Sequence, residues 1–170
     1  IPLSGAVIMA RGTGGTKLVA EAPAGTAVTV RLTLTPSWSD VTDAIGGGPL
    51  LVKGGKPIFR ANELFSIDQL VPRSARTAVG QLADGRIVLV VVDGGRLGYS
   101  VGMTNFELAL TMVRLGCVTA SALDSGSSSA MAFDGSLLDQ PSAPGGEAAI
   151  ADALLVAYYG AYVPPPTEDV

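Results

Sequence analysis

The chain has 170 residues, 48% of them hydrophobic, with a formal net charge of −4 at pH 7 and a pI near 4.7. A mean hydropathy of +0.43 excludes a disordered chain, and its 11 basic residues are too scattered to form a cationic stripe for nucleic acid or an anionic membrane. Histidine is absent, which excludes a Ser-His-Asp triad, a histidine general base and a histidine-ligated zinc site within this chain.

The first part of the chain is predicted to be β-rich and divided by glycine turns. Strands are expected at residues 5–10 and 26–35, with turns at 12–15 and 22–25. The order Gly-Gly-Thr-Lys at residues 14–17 argues against a Walker phosphate loop, which ends in Gly-Lys-Ser or Gly-Lys-Thr.

Three consecutive glycines, Gly46, Gly47 and Gly48, precede the apolar run 50–52. Such a run indicates unusual backbone dihedral angles or a close approach of the backbone to another group. It is compatible with an anion-binding nest of backbone N–H groups and with a plain flexible connection, and the sequence leaves both open.

A hairpin is predicted from two β-rich runs, 76–81 and 86–92, which flank an Asp-Gly turn at residues 83–85. The second run is continuously apolar from residue 87 to residue 92, which favours a central strand buried on both faces. It ends directly at Asp93, where a glycine-bearing turn follows.

The clearest helix signal is Thr104 followed three residues later by Glu107, because this pair forms a capping box. Most positions from there to Leu115 are apolar, as is typical of a largely buried helix, and Gly116 is placed to end it. Cys117 follows, and we expect a buried, unreactive thiol rather than a nucleophile.

A strand at residues 118–123 is predicted to deliver Asp124 into a turn of glycine and four serines, 125–129. Small residues let a ligand approach the backbone, while a carboxylate and hydroxyl groups supply donors and acceptors. The run is typical of a binding site and also of a serine-rich turn that caps a helix or links two strands.

The last part contains a second predicted hairpin at residues 131–138, around the turn Asp134-Gly135. The apolar run 148–159 is favoured as a strand over a helix, and residues 161–170 form a Pro-rich tail or linker. No apolar run is long enough to cross a membrane. The chain begins at Ile1, and we expect it to be a processed form or a piece of a larger protein.

Five motifs agree in order and spacing with one family. They are GGGPLLVKGGK at 46–56, RTAVGQ at 76–81, VVVDG at 90–94, SVGMTNFELA at 100–109 and LDSGSSSAM at 123–131. Together they resemble the phosphodiester glycosidase domain over residues 1–156. The resemblance implies an α/β (α+β) fold, in which a mixed, β-rich domain at residues 1–160 has several hairpins and one well-defined buried helix at about 104–115.

Two departures from the family pattern stand out. The family's aspartate turn reads Asp-Gly-Gly-Gly-Ser-Ser/Thr, whereas Ser125 and Ser127 add Cβ atoms here. The Asn-Gly-Gly-Phe-Phe-like segment that normally lies upstream has no counterpart in this sequence. We therefore expect the carboxyl-terminal part of the domain, with the amino-terminal part removed or supplied by a second polypeptide. A homo-oligomer is the other partner expectation.

Asp124 and Asp93 are the candidate catalytic residues, because a chain without histidine has carboxylates, or less usual groups such as Tyr99, for acid–base work. Each follows an apolar run into a turn, where it is placed either in a site or as a turn cap. Arg76, beside Thr77, is predicted to bind phosphate, with a solvated strand-end charge as the alternative. The other predicted substrate-binding residues offer backbone or hydroxyl donors: Gly46, Gly47, Gly48, Thr77, Gly126, Ser128 and Ser129.

The predicted function is a hydrolase that cleaves a sugar from a phosphodiester or related glycosidic linkage. Its partner would be a carbohydrate or sugar phosphate, and no cofactor or metal is predicted, since no spaced ligand set such as an EF-hand loop is present. The alternative is a catalytically inactive glycan-binding or structural subunit of a larger assembly. The resemblance favours a secreted or extracytoplasmic location.

Overall fold

A computed structural model describes residues 7–31, 33, 35, 37, 38, 40, 41, 43–58, 63–157, 159 and 160. The chain divides into two compact units, Ile1–Thr42 and Asp43–Val170. The predicted tail at 161–170 lies outside the described residues.

The first unit contains helix α1, Gly12–Glu21, where the sequence predicts a glycine turn. An i, i+4 ion pair between Lys17 and Glu21, with 3.7 Å between Nζ and Oε1, supports the helical conformation. The strand predictions for 5–10 and 26–35 are wrong for the described residues of both ranges, which form no strand, and residues 5, 6, 32 and 34 lie outside them. A strand needs a hydrogen-bonded neighbour, which the described part of this unit does not supply.

The second unit is a mixed, strand-rich α+β structure, as predicted. Its five-stranded antiparallel sheet has the order β2-β1-β5-β3-β4. The strands are β1 (Leu50–Lys53), β2 (Lys56–Pro57), β3 (Arg76–Leu82), β4 (Ile87–Val92) and β5 (Cys117–Ala122). The predicted Asp-Gly hairpin is confirmed, because β3 and β4 pair in register from Arg76↔Val92 to Gln81↔Ile87.

Strand β4 lies at the sheet edge, so its prediction as a central strand buried on both faces is wrong. Ile87 is 58% exposed and Leu89 is 37% exposed, whereas the alternate residues Val88, Val90 and Val92 pack against the core. The apolar run reflects one buried face only. β5 takes the central position instead.

The predicted helix is confirmed as α3, Asn105–Arg114, and its capping box is formed. The Thr104 hydroxyl accepts from the Glu107 N–H at 3.1 Å, and Glu107 Oε2 accepts from the Thr104 N–H at 2.9 Å. The helix buries one face rather than most of its surface, since Phe106 remains 44% exposed. The short helix α2, Ile67–Leu70, begins after the N-cap residue Ser66.

The core lies between α3 and the sheet. Its buried residues are Leu51, Val52, Ala78, Leu108, Ala109, Met112, Cys117, Ala120 and Ala122. A Cβ at Gly80 would lie 2.6 Å from the Cys117 Sγ atom, so only glycine fits beneath the helix there. Cys117 is buried as predicted, and burial raises the pKa of its thiol.

The second hairpin is confirmed as β6 (Ala132–Phe133) and β7 (Ser136–Leu137). Asp134 and Gly135 have φ angles of 48° and 74°, as expected for an Asp-Gly hairpin turn. The strand prediction for 148–159 is wrong for the described residues of that range, and residue 158 lies outside them. No helix among the described residues is long and apolar enough to span a membrane.

Candidate functional site

The predicted carboxylates follow two strands that end at the same edge of the sheet. Both β4 and β5 run antiparallel to β3, so they run parallel to each other, one strand apart. Asp93 follows β4 and Asp124 follows β5. Pairing continues past β5, where the Leu123 N–H donates to the Thr77 carbonyl at 2.9 Å. Asp124 therefore comes next to the start of β3.

A pocket of about 240 Å³ opens beside the start of β3 and the end of β5. Its lining residues come from the glycine run, the start of β3, α2, α3 and the turn after β5: Gly46, Gly47, Gly48, Pro49, Phe65, Gln69, Arg76, Asn105, Leu123, Asp124 and Ser125. Five predicted site residues thus converge here, namely Asp124, Arg76 and the three glycines. The other predicted residues are not among the lining: Asp93, Thr77, Gly126, Ser128 and Ser129.

The glycine run packs closely against the end of β5. A Cβ at Gly47 would lie 2.7 Å from the Ala122 carbonyl oxygen, and one at Gly48 would lie 2.5 Å from the Phe65 ring. The Gly48 N–H donates to the Ala122 carbonyl at 2.7 Å, so this N–H group is not available to an anion-binding nest. Close packing therefore explains why two of these positions are glycine, and the alternative of a plain flexible connection is wrong.

Arg76 forms part of the pocket lining, yet it is only 3% exposed, so a solvated strand-end charge is wrong. Its guanidinium donates to three backbone carbonyls: Met103 at 2.9 Å, Gln69 at 3.2 Å and Pro72 at 2.6 Å. A guanidinium carries five N–H donors, so these bonds leave two N–H groups that they do not use. Burial lowers the pKa of Arg76.

Asp124 is exposed at the pocket, where its Oδ1 accepts from the Ser125 N–H at 2.8 Å. The following residues form a single 3-10 turn, Gly126–Ser128, because the Ser129 N–H donates back to the Gly126 carbonyl at 3.1 Å. Ser129 is 1% exposed, and its Oγ has no hydrogen-bond partner among the described residues. The serine run is thus both a turn and one wall of the pocket, which it forms through Ser125.

Asp93 has a different environment. Its Oδ2 accepts from the Tyr99 hydroxyl at 2.8 Å, and its Oδ1 accepts from the Gln140 N–H at 2.8 Å. The bond to Asp93 raises the pKa of Tyr99, because the phenol loses a favourable interaction when it ionises. Asp93 therefore joins two loops of the second unit, and its predicted catalytic role has no support from the pocket geometry.

Six lining residues were not among the predicted site residues: Pro49, Phe65, Gln69, Asn105, Leu123 and Ser125. Asn105 is the first residue of α3 and is 3% exposed. Its Nδ2 donates to the Gln69 carbonyl at 3.2 Å, whereas its Oδ1 is buried without a partner among the described residues. An amide at the start of a helix whose buried positions are otherwise apolar was the signal that the sequence offered for Asn105.

The described residues hold no group of three or more Cys, Asp or Glu side chains that could bind a metal ion. The pocket lining offers one carboxylate, that of Asp124, one buried guanidinium, that of Arg76, and one buried amide, that of Asn105. A guanidinium binds an anion, and a carboxylate accepts or donates a proton.

The chain matches the model of the phosphodiester glycosidase family over residues 2–157. It is 35% identical over 111 residues to the SPbeta prophage-derived uncharacterized protein YomE of Bacillus subtilis, which covers 65% of this chain and 17% of that protein. The chain thus spans less than a fifth of the length of this curated relative.

Two solved structures are also similar. A hypothetical protein from Synechocystis shares 36% identity with a TM-score of 0.51, over 57% of this chain and 18% of that one. The catalytic domain of zebrafish N-acetylglucosamine-1-phosphodiester alpha-N-acetylglucosaminidase, auto-inhibited by its pro-peptide, shares 27% identity with a TM-score of 0.50, over 58% and 34%.

Proposed function

The chain belongs to the phosphodiester glycosidase family, and from that premise we propose that its pocket cleaves a sugar from a phosphodiester or related glycosidic linkage. The observation that carries the proposal is the convergence of Asp124 and Arg76 on one pocket. A hydrolase of this kind needs a group that handles a proton and a group that binds the anionic phosphate.

In the proposed reaction, Asp124 is the general base. It takes a proton from a water molecule, the water oxygen bonds to the anomeric carbon, and the bond from that carbon to the phosphate oxygen breaks. The phosphate monoester leaves with the bonding electron pair, and the Arg76 N–H groups stabilise the anion. A phosphate is a stable anion, so it departs without a proton, and one carboxylate is sufficient.

The fixed position of the Arg76 guanidinium supports its proposed electrostatic role. Arg76 is held by three carbonyls of its own chain, so its position does not depend on substrate. A fixed, buried cation loses less energy to reorganisation when charge develops on the leaving oxygen. Ser125 and the three glycines would contact the sugar. Ser128 and Ser129 remain predicted contacts of the sugar or the phosphate.

The experiment is a comparison of wild type with Asp124→Asn on a panel of sugar phosphodiesters. We expect Asp124→Asn to lower kcat by roughly 100-fold or more on any substrate that the wild type cleaves. Asp84→Asn is the matched control, because Asp84 lies in the distant β3–β4 turn and pairs with Arg86. Equal turnover by wild type and Asp124→Asn would sink the assignment.

A second candidate is a glycan-binding or structural subunit without catalysis. The observation that favours it is that only one of the two predicted carboxylates lines the pocket. Such a subunit would bind a sugar phosphodiester without releasing sugar. The same panel separates the two, if binding is measured beside turnover. A second polypeptide that completes the domain and an extracytoplasmic location also stay proposals.

A further inference from the structure

The pocket contains a buried hydrogen-bond acceptor that the proposed chemistry does not use. Asn105 lines the pocket at 3% exposure, and its Oδ1 has no partner among the described residues. A buried polar atom without a partner has lost its hydration and gained no hydrogen bond in return, which is unfavourable. Such an atom at a pocket wall is available to accept a hydrogen bond from a ligand.

The orientation of the Asn105 amide follows from its neighbour. Nδ2 donates to the Gln69 carbonyl at 3.2 Å. Rotating the amide by half a turn would bring Oδ1 against that carbonyl, and two acceptors would repel each other. The unpartnered atom is therefore the oxygen, which accepts a hydrogen bond and cannot bind a phosphate oxygen.

Arg76 shares this acceptor, because it donates to the same Gln69 carbonyl from Nη1 at 3.2 Å. The carbonyl thereby places a cation and a neutral acceptor side by side at the pocket. A ligand that satisfies both carries an anionic group next to a hydrogen-bond donor. A sugar phosphate has this chemistry, with its hydroxyl groups close to the phosphate.

We propose that Asn105 is a specificity-determining residue, whose Oδ1 accepts a hydrogen bond from one hydroxyl of the sugar while Arg76 binds the phosphate. This inference rests on the proposed function and adds which part of the substrate the pocket recognises. It makes the pocket selective for a sugar with that hydroxyl in place, since the analogue without it leaves Oδ1 unpaired.

The probe is the methyl ester of a C-linked glucose phosphonate, in which carbon replaces the glycosidic oxygen so that hydrolysis cannot occur. Its 2-, 3-, 4- and 6-deoxy analogues are titrated against the full chain by calorimetry. We expect one deoxy analogue to bind about 5-fold or more weakly than the parent. In Asn105→Ala that difference disappears, while the ratios for the other three analogues stay unchanged.

Asn105→Ser keeps a donor for the Gln69 carbonyl but removes Oδ1, so it should also lose the preference, which keeps the test open if Asn105→Ala does not fold. If Asn105 were merely structural, Asn105→Ala would weaken the binding of all five ligands equally. Equal binding of all analogues by the wild type, or a preference that persists in Asn105→Ala, overturns the inference and leaves the proposed function standing. If the parent phosphonate does not bind, the inference fails, and the proposed function fails with it only if hydrolysis that depends on Asp124 is also absent.

Discussion

Arg76 and Asn105 donate hydrogen bonds to the same atom, the carbonyl oxygen of Gln69, at 3.2 Å from Nη1 and at 3.2 Å from Nδ2. One residue opens strand β3 and the other opens helix α3, so a single carbonyl of α2 connects the sheet to the helix. Both side chains also line the pocket. Stability and binding therefore depend on the same residues at this position.

The first prediction concerns Arg76. Arg76→Lys should lower the free energy of unfolding by about 2 to 4 kcal/mol, because one ammonium cannot reach three carbonyls and leaves buried acceptors unpaired. Urea unfolding followed by circular dichroism measures the change. The control is Arg86→Lys, where the arginine side chain is 76% exposed and forms a surface pair with Asp84. We expect Arg86→Lys to lower the free energy of unfolding by less than about 0.5 kcal/mol. Equal losses of unfolding free energy in both variants would contradict the structure.

The second prediction concerns Gly102, whose φ angle is 82° and where a Cβ atom would collide with the Ser74 carbonyl. Gly54 has a φ angle of 59° and open space around it, so Gly54→Ala isolates the cost of the left-handed backbone. We expect Gly54→Ala to lower the free energy of unfolding by about 1 kcal/mol. Gly102→Ala should cost at least about 2 kcal/mol more, because the backbone must move. Similar unfolding midpoints for the two variants would refute the close approach.

The third prediction concerns the charge of Glu107. The Thr104 N–H bond is the main cause that lowers the pKa of this carboxyl, and Thr104 Oγ1 and Arg73 lower it further. Because the folded pKa lies below the unfolded one, the stabilisation is present above about pH 4.3 and is lost as the pH falls through the folded pKa. Glu107→Gln should therefore unfold at lower urea than wild type at pH 7, with the gap closing at acidic pH. A gap that is constant with pH would exclude this linkage.

The fourth prediction separates the two aspartates. Asp93→Asn should lower kcat less than about 10-fold, against roughly 100-fold or more for Asp124→Asn, because only Asp124 lines the pocket. Asp93→Asn should instead loosen the loops held by Tyr99 and Gln140, which hydrogen exchange of the Gln140 amide measures. Equal losses of kcat would restore Asp93 as a catalytic residue.

The sequence alone determined those elements that short-range signals define. The capping box of Thr104 and Glu107 began α3, the turns at Asp84-Gly85 and Asp134-Gly135 formed hairpins, and an apolar strand led to Asp124. In the helix and the two hairpins the residues that interact are close in the chain, so local dihedral preference and hydrogen bonding suffice. The five motifs also identified the family.

Tertiary structure alone decided which strand became central and which residues met in the pocket. β4 is more apolar than β5, yet β5 lies in the middle of the sheet, because strand order depends on pairing between distant segments. Gln69, Arg76 and Asn105 meet across 36 residues of chain. Asp93 is not among the lining residues of the pocket, and its Oδ1 accepts instead from the Gln140 N–H, 47 residues further along the chain. Such contacts join distant segments, and no periodicity or local spacing in the sequence encodes them.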